Sequence, residues 1–266
     1  MNITFITGAA NGLGESFAKL YAKDNQNLLL VDIDETNLLR VKKELETLNP
    51  NIIIETLKAD LTKVDELKRV YQYTVDKDYF VNYLVNCAGF GEQQDFIKMN
   101  IDKQIAMTNL NCNALLYFTR VFLDKMKEND EGHIINISSI AGFLPGPYMC
   151  TYHATKGYVL LLGEAISYEL RKTNVKLLTL CPGPFLSEFV KKAHNDYTFS
   201  KIKPISSDKV ALFGYKKSKK GKSLAIVGFK NRLTIFLAKL APRKFVTSSS
   251  AKTMKNSNKN KYHNNL

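Results

Sequence analysis

Ile3-Thr-Phe-Ile-Thr-Gly8-Ala-Ala-Asn-Gly12-Leu-Gly14 is an apolar run that stops at a threonine, then three glycines within seven residues, followed by Phe17, Leu20 and Tyr21 at helical spacing. The run predicts a buried strand over residues 3–7 and the spacing predicts a helix behind the glycines. A glycine-rich turn in that position lets backbone N–H groups approach a pyrophosphate at a helix N-terminus, where the helix dipole also favours an anion. Tight packing of helix on strand is the competing reason for such glycines. The binding reading names Gly8, Asn11, Gly12, Leu13 and Gly14 as contacts.

Working outward, residues 27–31 (Asn-Leu-Leu-Leu-Val) form a second predicted strand, ending at Asp32, 18 residues beyond Gly14. An acid there can accept hydrogen bonds from an adenosine ribose and repels a 2′-phosphate, which favours NAD(H) and leaves NADP(H) as the alternative. A helix N-cap at Asp32 or Asp34 is the other reading. A third strand, 52–59, closes on Asp60-Leu61, and a helix follows over 63–74. The next strand ends in Asn86-Cys-Ala88-Gly89, a small-residue turn that admits close approach of a flat ligand. An amphipathic helix over 102–128 carries Asn109, Asn111 and Asn113 among apolar residues, so at least one of these amides requires a backbone, water or ligand partner.

Residues 133–139 read as a buried strand presenting Ser138 and Ser139 at its end, followed by a Gly- and Pro-containing loop. The helix expected over 151–172 then carries Tyr152 and Lys156 at i and i+4, on one face. A free tyrosine, with a pKa near 10, is about one part in a thousand ionised at neutral pH. Moving it to about 7 takes roughly 4 kcal/mol, close to what one ammonium about 4 Å away supplies at an effective dielectric near 20. Tyr152 is therefore expected to exchange a proton near neutrality, with Ser139 holding a substrate oxygen. Taken alone, an i,i+4 Tyr-Lys pair is more often a solvated surface contact. A sixth strand over 175–181 is stopped by Pro182-Gly183-Pro184, where ligands bind in open parallel sheets. The alternation predicts one α/β domain, a doubly wound Rossmann-type parallel sheet of about seven strands with right-handed crossovers.

The totals agree with a single deep-cored domain. The chain has 266 residues, 45% hydrophobic and 24% charged. Cys87, Cys112, Cys150 and Cys181 are scattered without a C-x-x-C pair, which argues against a disulfide framework or metal site and for a reducing compartment. The opening residues already form a core strand, and no apolar run reaches the roughly 18 residues of a span, so a cytoplasmic protein is expected. Of the net charge of +13, residues 191–266 hold 19 Lys and Arg against Asp196 and Asp208, a local +17, and residues 1–190 are net −4.

Together Thr7-Gly8-x-x-x-Gly12-x-Gly14, Asp60, Asn86-Cys-Ala-Gly89, Asn111, Ser139, Tyr152-x-x-x-Lys156 and Pro182-Gly183 resemble the short-chain dehydrogenase/reductase family over roughly residues 3–189. The resemblance implies an oxidoreductase that interconverts an alcohol and a ketone or aldehyde with a nicotinamide cofactor. It implies a tetrad of Asn111, Ser139, Tyr152 and Lys156. Tyr152 is then the general acid/base and Ser139 orients the substrate oxygen. Lys156 lowers the tyrosine pKa and binds the nicotinamide ribose, and Asn111 holds a proton-relaying water. Cofactor contacts are implied at Asp32, Asp60, Leu61, Asn86, Ala88, Gly89, Pro182, Gly183 and Ser187. Cys87 stands where the family often has a second asparagine. Gly146-Pro-Tyr148-Met-Cys-Thr-Tyr152 resembles a subgroup that carries an arginine after the second strand and looks NADP-dependent, whereas this chain has Asp32-Ile33.

The C-terminal region is read in three parts within a domain of residues 1–246 and a tail. Residues 190–222 are expected to cover the substrate, with Tyr197, Phe199, Phe213 and Tyr215 as lining, or else to pack as a surface helix. Lys216 to Ser223 lacks the first glycine of a phosphate loop and reads as a loop before a last strand at 224–227. Leu233, Phe236, Leu237 and Leu240, flanked by Arg232, Lys239, Arg243 and Lys244, predict a basic amphipathic helix over about 230–245. It suits a membrane surface and a lipid-like substrate, and equally core closure or a second subunit. The tail 247–266 is expected to be disordered. Expected partners are a small carbonyl or alcohol substrate and a second copy of the chain, with peripheral membrane contact as an option and no nucleic acid. The alternatives to a dehydrogenase acting on a dissolved substrate are a membrane-associated NADPH-dependent ketoreductase and a non-catalytic nucleotide-binding protein.

Overall fold

The computed structural model describes residues 1–186 and 205–259. Seven parallel strands are ordered β3-β2-β1-β4-β5-β6-β9, so the chain winds outward from β1 in one direction and, after the switch, from β4 in the other. The strands are β1 (Asn2–Thr7), β2 (Leu28–Asp32), β3 (Ile54–Lys58), β4 (Phe80–Asn86), β5 (His133–Ile137), β6 (Lys176–Cys181) and, after the short pair β7 (Phe185–Leu186) and β8 (Ile205–Ser206), β9 (Leu224–Ile226). The helices are α1 (Gly12–Lys23), α2 (Glu35–Leu48), α3 (Val64–Asp76), α4 (Ile101–Thr108), α5 (Leu115–Glu128), α6 (Cys150–Glu169), α7 (Ser207–Lys219), α8 (Phe229–Leu240) and α9 (Arg243–Lys259).

Both faces of the sheet are covered, which is why its strands read as continuous apolar runs rather than alternating ones. On β1 and β2, Phe5 and Leu29 point to the side of α3 and α5, where Phe118 and Phe122 lie against Phe5 with ring centroids 4.9 and 5.0 Å away. Ile6 and Leu30 point to the other side, among Phe17, Tyr21, Leu38 and Val41 of α1 and α2 and Val210 and Ala211 of α7. The period of two thus distributes one apolar run between two cores.

Three departures from the sequence reading concern the elements around the site. The helix expected over 102–128 is interrupted by a π-helical turn, Asn109–Ala114. Lys216 to Lys219 complete α7 instead of forming a loop, and α7 packs on α1. Phe213 and Tyr215 consequently pack against the core beneath α1 and are not among the described residues that line the cleft at the strand ends: Tyr215 meets the Tyr21 ring edge-on and hydrogen-bonds to Asp24. Tyr197, Phe199 and Ser187 lie outside the described residues. The third departure is α9, which continues as a helix to Lys259 although composition predicted an unstructured tail from Thr247. Its anchors are long-range: Val246 is buried, and Gln93 Nε2, on the loop after β4, donates to the Met254 carbonyl at 2.7 Å.

Candidate active site

A single cleft of about 1560 Å³ runs along the C-terminal ends of the strands. In a doubly wound sheet this is the edge where the connections diverge and leave a crevice. One half is the glycine turn: Gly8, Asn11, Gly12, Leu13 and Gly14 line it with Asp32, Asp60 and Leu61. Gly8 and Gly12 take φ of +68° and +57°, conformations that L side chains rarely adopt. Asn11 sits at the N-cap of α1 without a side-chain cap bond, and the first-turn residues Gly12, Leu13 and Gly14 line the cleft.

Asp32 is fixed rather than free. Its two carboxylate oxygens accept from Ala10 N–H at 3.0 Å and Asp34 N–H at 3.1 Å, which ties the end of β2 to the glycine turn. The N-cap of α2 is Asp34, which accepts from Asn37 N–H. Arg40 reaches the same turn, donating to the Ala10 carbonyl at 3.1 Å, but its guanidinium is engaged by Glu15 and Glu44. Asp60 accepts from both the backbone N–H and the hydroxyl of Thr62, an Asx-type turn that holds its carboxylate at the cleft wall.

The other half holds Ser139, Tyr152 and Lys156. Beyond the end of β5, Ser138 Oγ donates to the Lys156 carbonyl at 2.7 Å, which locks the strand end to α6, while Ser139 faces the cleft and hydrogen-bonds to Tyr152. Both serines line the cleft, and Ser139 is the one bonded to Tyr152. One turn beyond Tyr152, Lys156 is buried. Its ammonium donates to the Ile137 carbonyl at 2.9 Å and lies 5.8 Å from the centre of the Tyr152 ring. Pro182 and Gly183 close the floor, and Ala88 and Gly89 line the wall between the two halves.

Asn86 and Asn111 stand one layer behind the cleft. Asn86 donates to Thr119 and to Asn136 at 2.9 Å, joining β4 to β5, and it does not reach the cleft. Asn111 donates to the Phe90 carbonyl and to Thr155 Oγ1, and its oxygen accepts from Phe90 N–H. Its two N–H donors are therefore both engaged within the protein, and the π-helical turn is what swings it inward. Leu110, its neighbour, lines the cleft in its place. Asn109 and Asn113 bond to each other at the surface.

Electrostatics differ from the sequence expectation. Burial pushes the Tyr152 phenol up to about 12, against a smaller opposing effect of the Ser139 hydrogen bond. Burial also pulls Lys156 down to about 8, against weaker opposition from the thiols of Cys87, Cys112 and Cys181. The ammonium's bond to Ile137 points its charge at a carbonyl, and desolvation of the phenol outweighs what remains. Protonated phenol is the resting form. The depressed lysine also has a stability consequence. Below pH 8 both folded and unfolded chains carry the ammonium, and the folded one bears its desolvation. Lys156→Met should therefore stabilise the fold at pH 7, by on the order of 3 kcal/mol at 1.36 kcal/mol per unit. The gain should shrink between pH 8 and 10.5, where the folded chain sheds the proton first; urea unfolding at pH 7 and pH 10 checks both values.

The sequence reading missed the second wall of the cleft. Asn231, Thr234 and Ala238 of α8, and Val246, Ser250 and Met254 of α9, line it as well. A Cβ on Gly183 would lie 2.4 Å from Asn231 Nδ2, so α8 sits directly on the Pro182-Gly183 turn. Only the spacing of Leu233, Phe236, Leu237 and Leu240 signalled α8, and nothing local signalled α9.

Residues 2–198 match the family described as short chain dehydrogenase. The chain belongs to the short chain dehydrogenase family. An uncharacterized oxidoreductase of Staphylococcus saprophyticus is 30% identical over 181 residues, 68% of this chain and 77% of the relative. Among solved structures, a short-chain dehydrogenase from Sphingobium yanoikuyae in complex with NADPH superposes with a TM-score of 0.81 at 24% identity, covering 90% of this chain and 94% of the other. One from Burkholderia phymatum in complex with NAD gives a TM-score of 0.82 at 22% identity, covering 90% and 93%. The short chain dehydrogenase is thus an oxidoreductase by family with the fold of its structural neighbours, and no helix among its described residues is long and apolar enough to cross a membrane.

Proposed function

We propose that the protein interconverts an alcohol and a ketone or aldehyde by hydride transfer, using a nicotinamide cofactor in the cleft. The observation that carries this reading is the meeting of Ser139, Tyr152 and Lys156 in the same cleft as an uncapped helix N-terminus behind close-packed glycines. The cleft supports a dinucleotide there, because it is continuous from the glycine turn to Tyr152 and the backbone of Gly8 and Gly12, held at φ of +68° and +57°, lines it without a side chain. The amides of the glycine turn would hold the pyrophosphate, Asp32 the adenosine ribose, Asp60 and Leu61 the adenine side, and Lys156, Pro182 and Gly183 the nicotinamide side.

Bound there, a reduced nicotinamide would supply the hydride for the carbonyl carbon. Ser139 Oγ holds the carbonyl oxygen against the Tyr152 hydroxyl, and Tyr152 delivers its proton to that oxygen as charge builds on it. Lys156, one helical turn away, stabilises the phenolate left behind. Alcohol oxidation is the same sequence reversed. Asn111 fixes Phe90 and Thr155 around this group, a positioning role. A spectrophotometric assay of NADH consumption against a panel of ketones and aldehydes tests the reading. Cofactor binding without turnover of any of them, in either direction, would favour a non-catalytic nucleotide-binding protein.

The acidic ribose end supports NAD(H). Asp32 presents a carboxylate there, and Arg40 is already occupied by Glu15 and Glu44. NADH should bind at least about tenfold more tightly than NADPH, a difference of about 1.4 kcal/mol. Asp32→Asn keeps an oxygen for the Ala10 N–H and removes the charge, so it should bring the two affinities within about threefold. Fluorescence titration with each cofactor measures this, and tighter NADPH binding by the unmodified chain would reverse the assignment.

A further inference from the structure

Helix α8 presents different chemistry on each side. Asn231, Thr234 and Ala238 line the cleft and Ile235 is buried in the fold, while Phe229, Leu233, Phe236 and Leu240 recur at i, i+4, i+7 and i+11 along one outward stripe. Phe229 is 74%, Phe236 58% and Leu240 71% exposed, and Phe245, in the first turn of α9, is 67% exposed. Single exposed apolar side chains are ordinary, but a continuous stripe marks a surface that meets something.

The surroundings identify what it meets. Lys230, Arg232, Lys239, Arg243 and Lys244 are all exposed around the stripe. The 58 residues after Asp208 contain 15 Lys and Arg and no Asp or Glu, so no carboxylate lies within the region to neutralise them. An apolar stripe bordered by cations fits an anionic bilayer: the rings and leucines enter the headgroup boundary, and the long basic side chains reach back to lipid phosphates. A second copy of the chain fits poorly, because a two-fold contact through this patch would set one acid-free region against its identical twin.

The stripe is also continuous with the cleft. Phe229, Leu237 and Phe245 are each exposed and each line it. The cleft that holds Tyr152 is lined further by the apolar side chains of Leu144, Met149, Val246 and Met254. We propose that α8 and the first turn of α9 lie on an anionic bilayer surface with the cleft mouth turned toward it, and that the substrate is an amphipathic ketone or aldehyde whose apolar chain enters past Phe229, Leu237 and Phe245. The substrate part rests on the carbonyl-reducing function proposed above; the docking part does not.

The test is co-sedimentation of the full chain with vesicles of phosphatidylglycerol and phosphatidylcholine, and of phosphatidylcholine alone, beside Phe236→Glu/Leu240→Glu. Neither substituted residue lines the cleft, so NADH titration and the circular dichroism spectrum should be unchanged and serve as the control for folding. The unmodified chain should partition at least about tenfold more strongly onto the anionic vesicles, less so in about 0.5 M salt, and the variant should lose about tenfold of that binding. Failure to pellet with anionic vesicles, or equal pelleting of the variant, overturns the docking surface. A mass in sedimentation velocity that falls in the variant reassigns the stripe to self-association and also overturns it. For the substrate part, a long-chain methyl ketone carried in the anionic vesicles should be reduced at least about tenfold faster than a short-chain one. Equal rates overturn that part alone, and turnover of neither overturns the function on which it rests.

Discussion

Replacing Tyr152 by Phe should lower carbonyl reduction by about a thousandfold or more while NADH affinity stays within about twofold. The substitution removes one oxygen, the atom that hydrogen-bonds to Ser139 and is placed to protonate the substrate, and leaves the ring in its packing beside His153. A loss in kcat without a matching change in cofactor binding separates a proton donor from a wall of the cofactor site. The pH dependence has a definite sign. With the phenol pushed up to about 12, its protonated form is the resting one at pH 7, so reduction begins from the form that is present. Alcohol oxidation needs the phenolate and should climb with pH. Lys156, pulled down to about 8, sheds its proton above that pH, and reduction should decline as the charge opposite the developing phenolate disappears. Initial rates in both directions from pH 6 to 10 distinguish these trends; a reduction rate flat across pH 8, or turnover retained by Tyr152→Phe, would remove these residues from the proton transfer.

The readability of the chain follows from how local each signal is. The strand, glycine turn and helix at residues 2–23 are contiguous, and each segment carries its own pattern, so the fold and the turn that lines the cleft were legible there. Tyr152 and Lys156 were legible for the same reason, since helix geometry alone puts i and i+4 on one face. What failed was long-range. Phe213 and Tyr215 are aromatic residues in a region expected to cover substrate, and only the position of α1 shows that they pack beneath it. Helix α9 is rich in Ser, Asn and Lys, a composition that reads as solvent-exposed chain. It is held by the burial of Val246 and by a bond from Gln93, 161 residues away from Met254, neither of which leaves a local trace. The Tyr152 pKa failed for a related reason: the lysine four residues away is a sequence fact, but the carbonyl of Ile137 that captures its ammonium is a tertiary one.

The glycine turn makes the second large prediction, because the backbone proposed to hold the cofactor is the backbone on which α1 packs. Gly14 has an ordinary helical position in the first turn of α1, where alanine is intrinsically better by about 1 kcal/mol. Propensity alone would make Gly14→Ala stabilising. Sterics oppose it decisively: the new Cβ would sit 2.0 Å from the Gly8 oxygen and 2.7 Å from its carbonyl carbon, both backbone atoms that cannot swing aside as a side chain would. Gly8 cannot yield, since its own N–H donates to the Val31 carbonyl at 2.8 Å and a Cβ built on it would already be 2.8 Å from the Ala88 backbone. Relief requires α1 to move away from β1, which opens the core around Phe17 and displaces the N–H groups at the cleft. Gly14→Ala should cost about 3 kcal/mol of stability or more and weaken NADH binding at least about a hundredfold. Gly157→Ala supplies the contrast. It lies in the middle of α6, and its nearest new contact is 3.4 Å from the Gly142 oxygen, so the propensity gain should survive and stability should hold or rise by up to about 1 kcal/mol. Urea unfolding and NADH titration of the two variants side by side decide the matter. Equal behaviour would mean that the approach of α1 to the Gly8 carbonyl does not determine either the fold or the cofactor site.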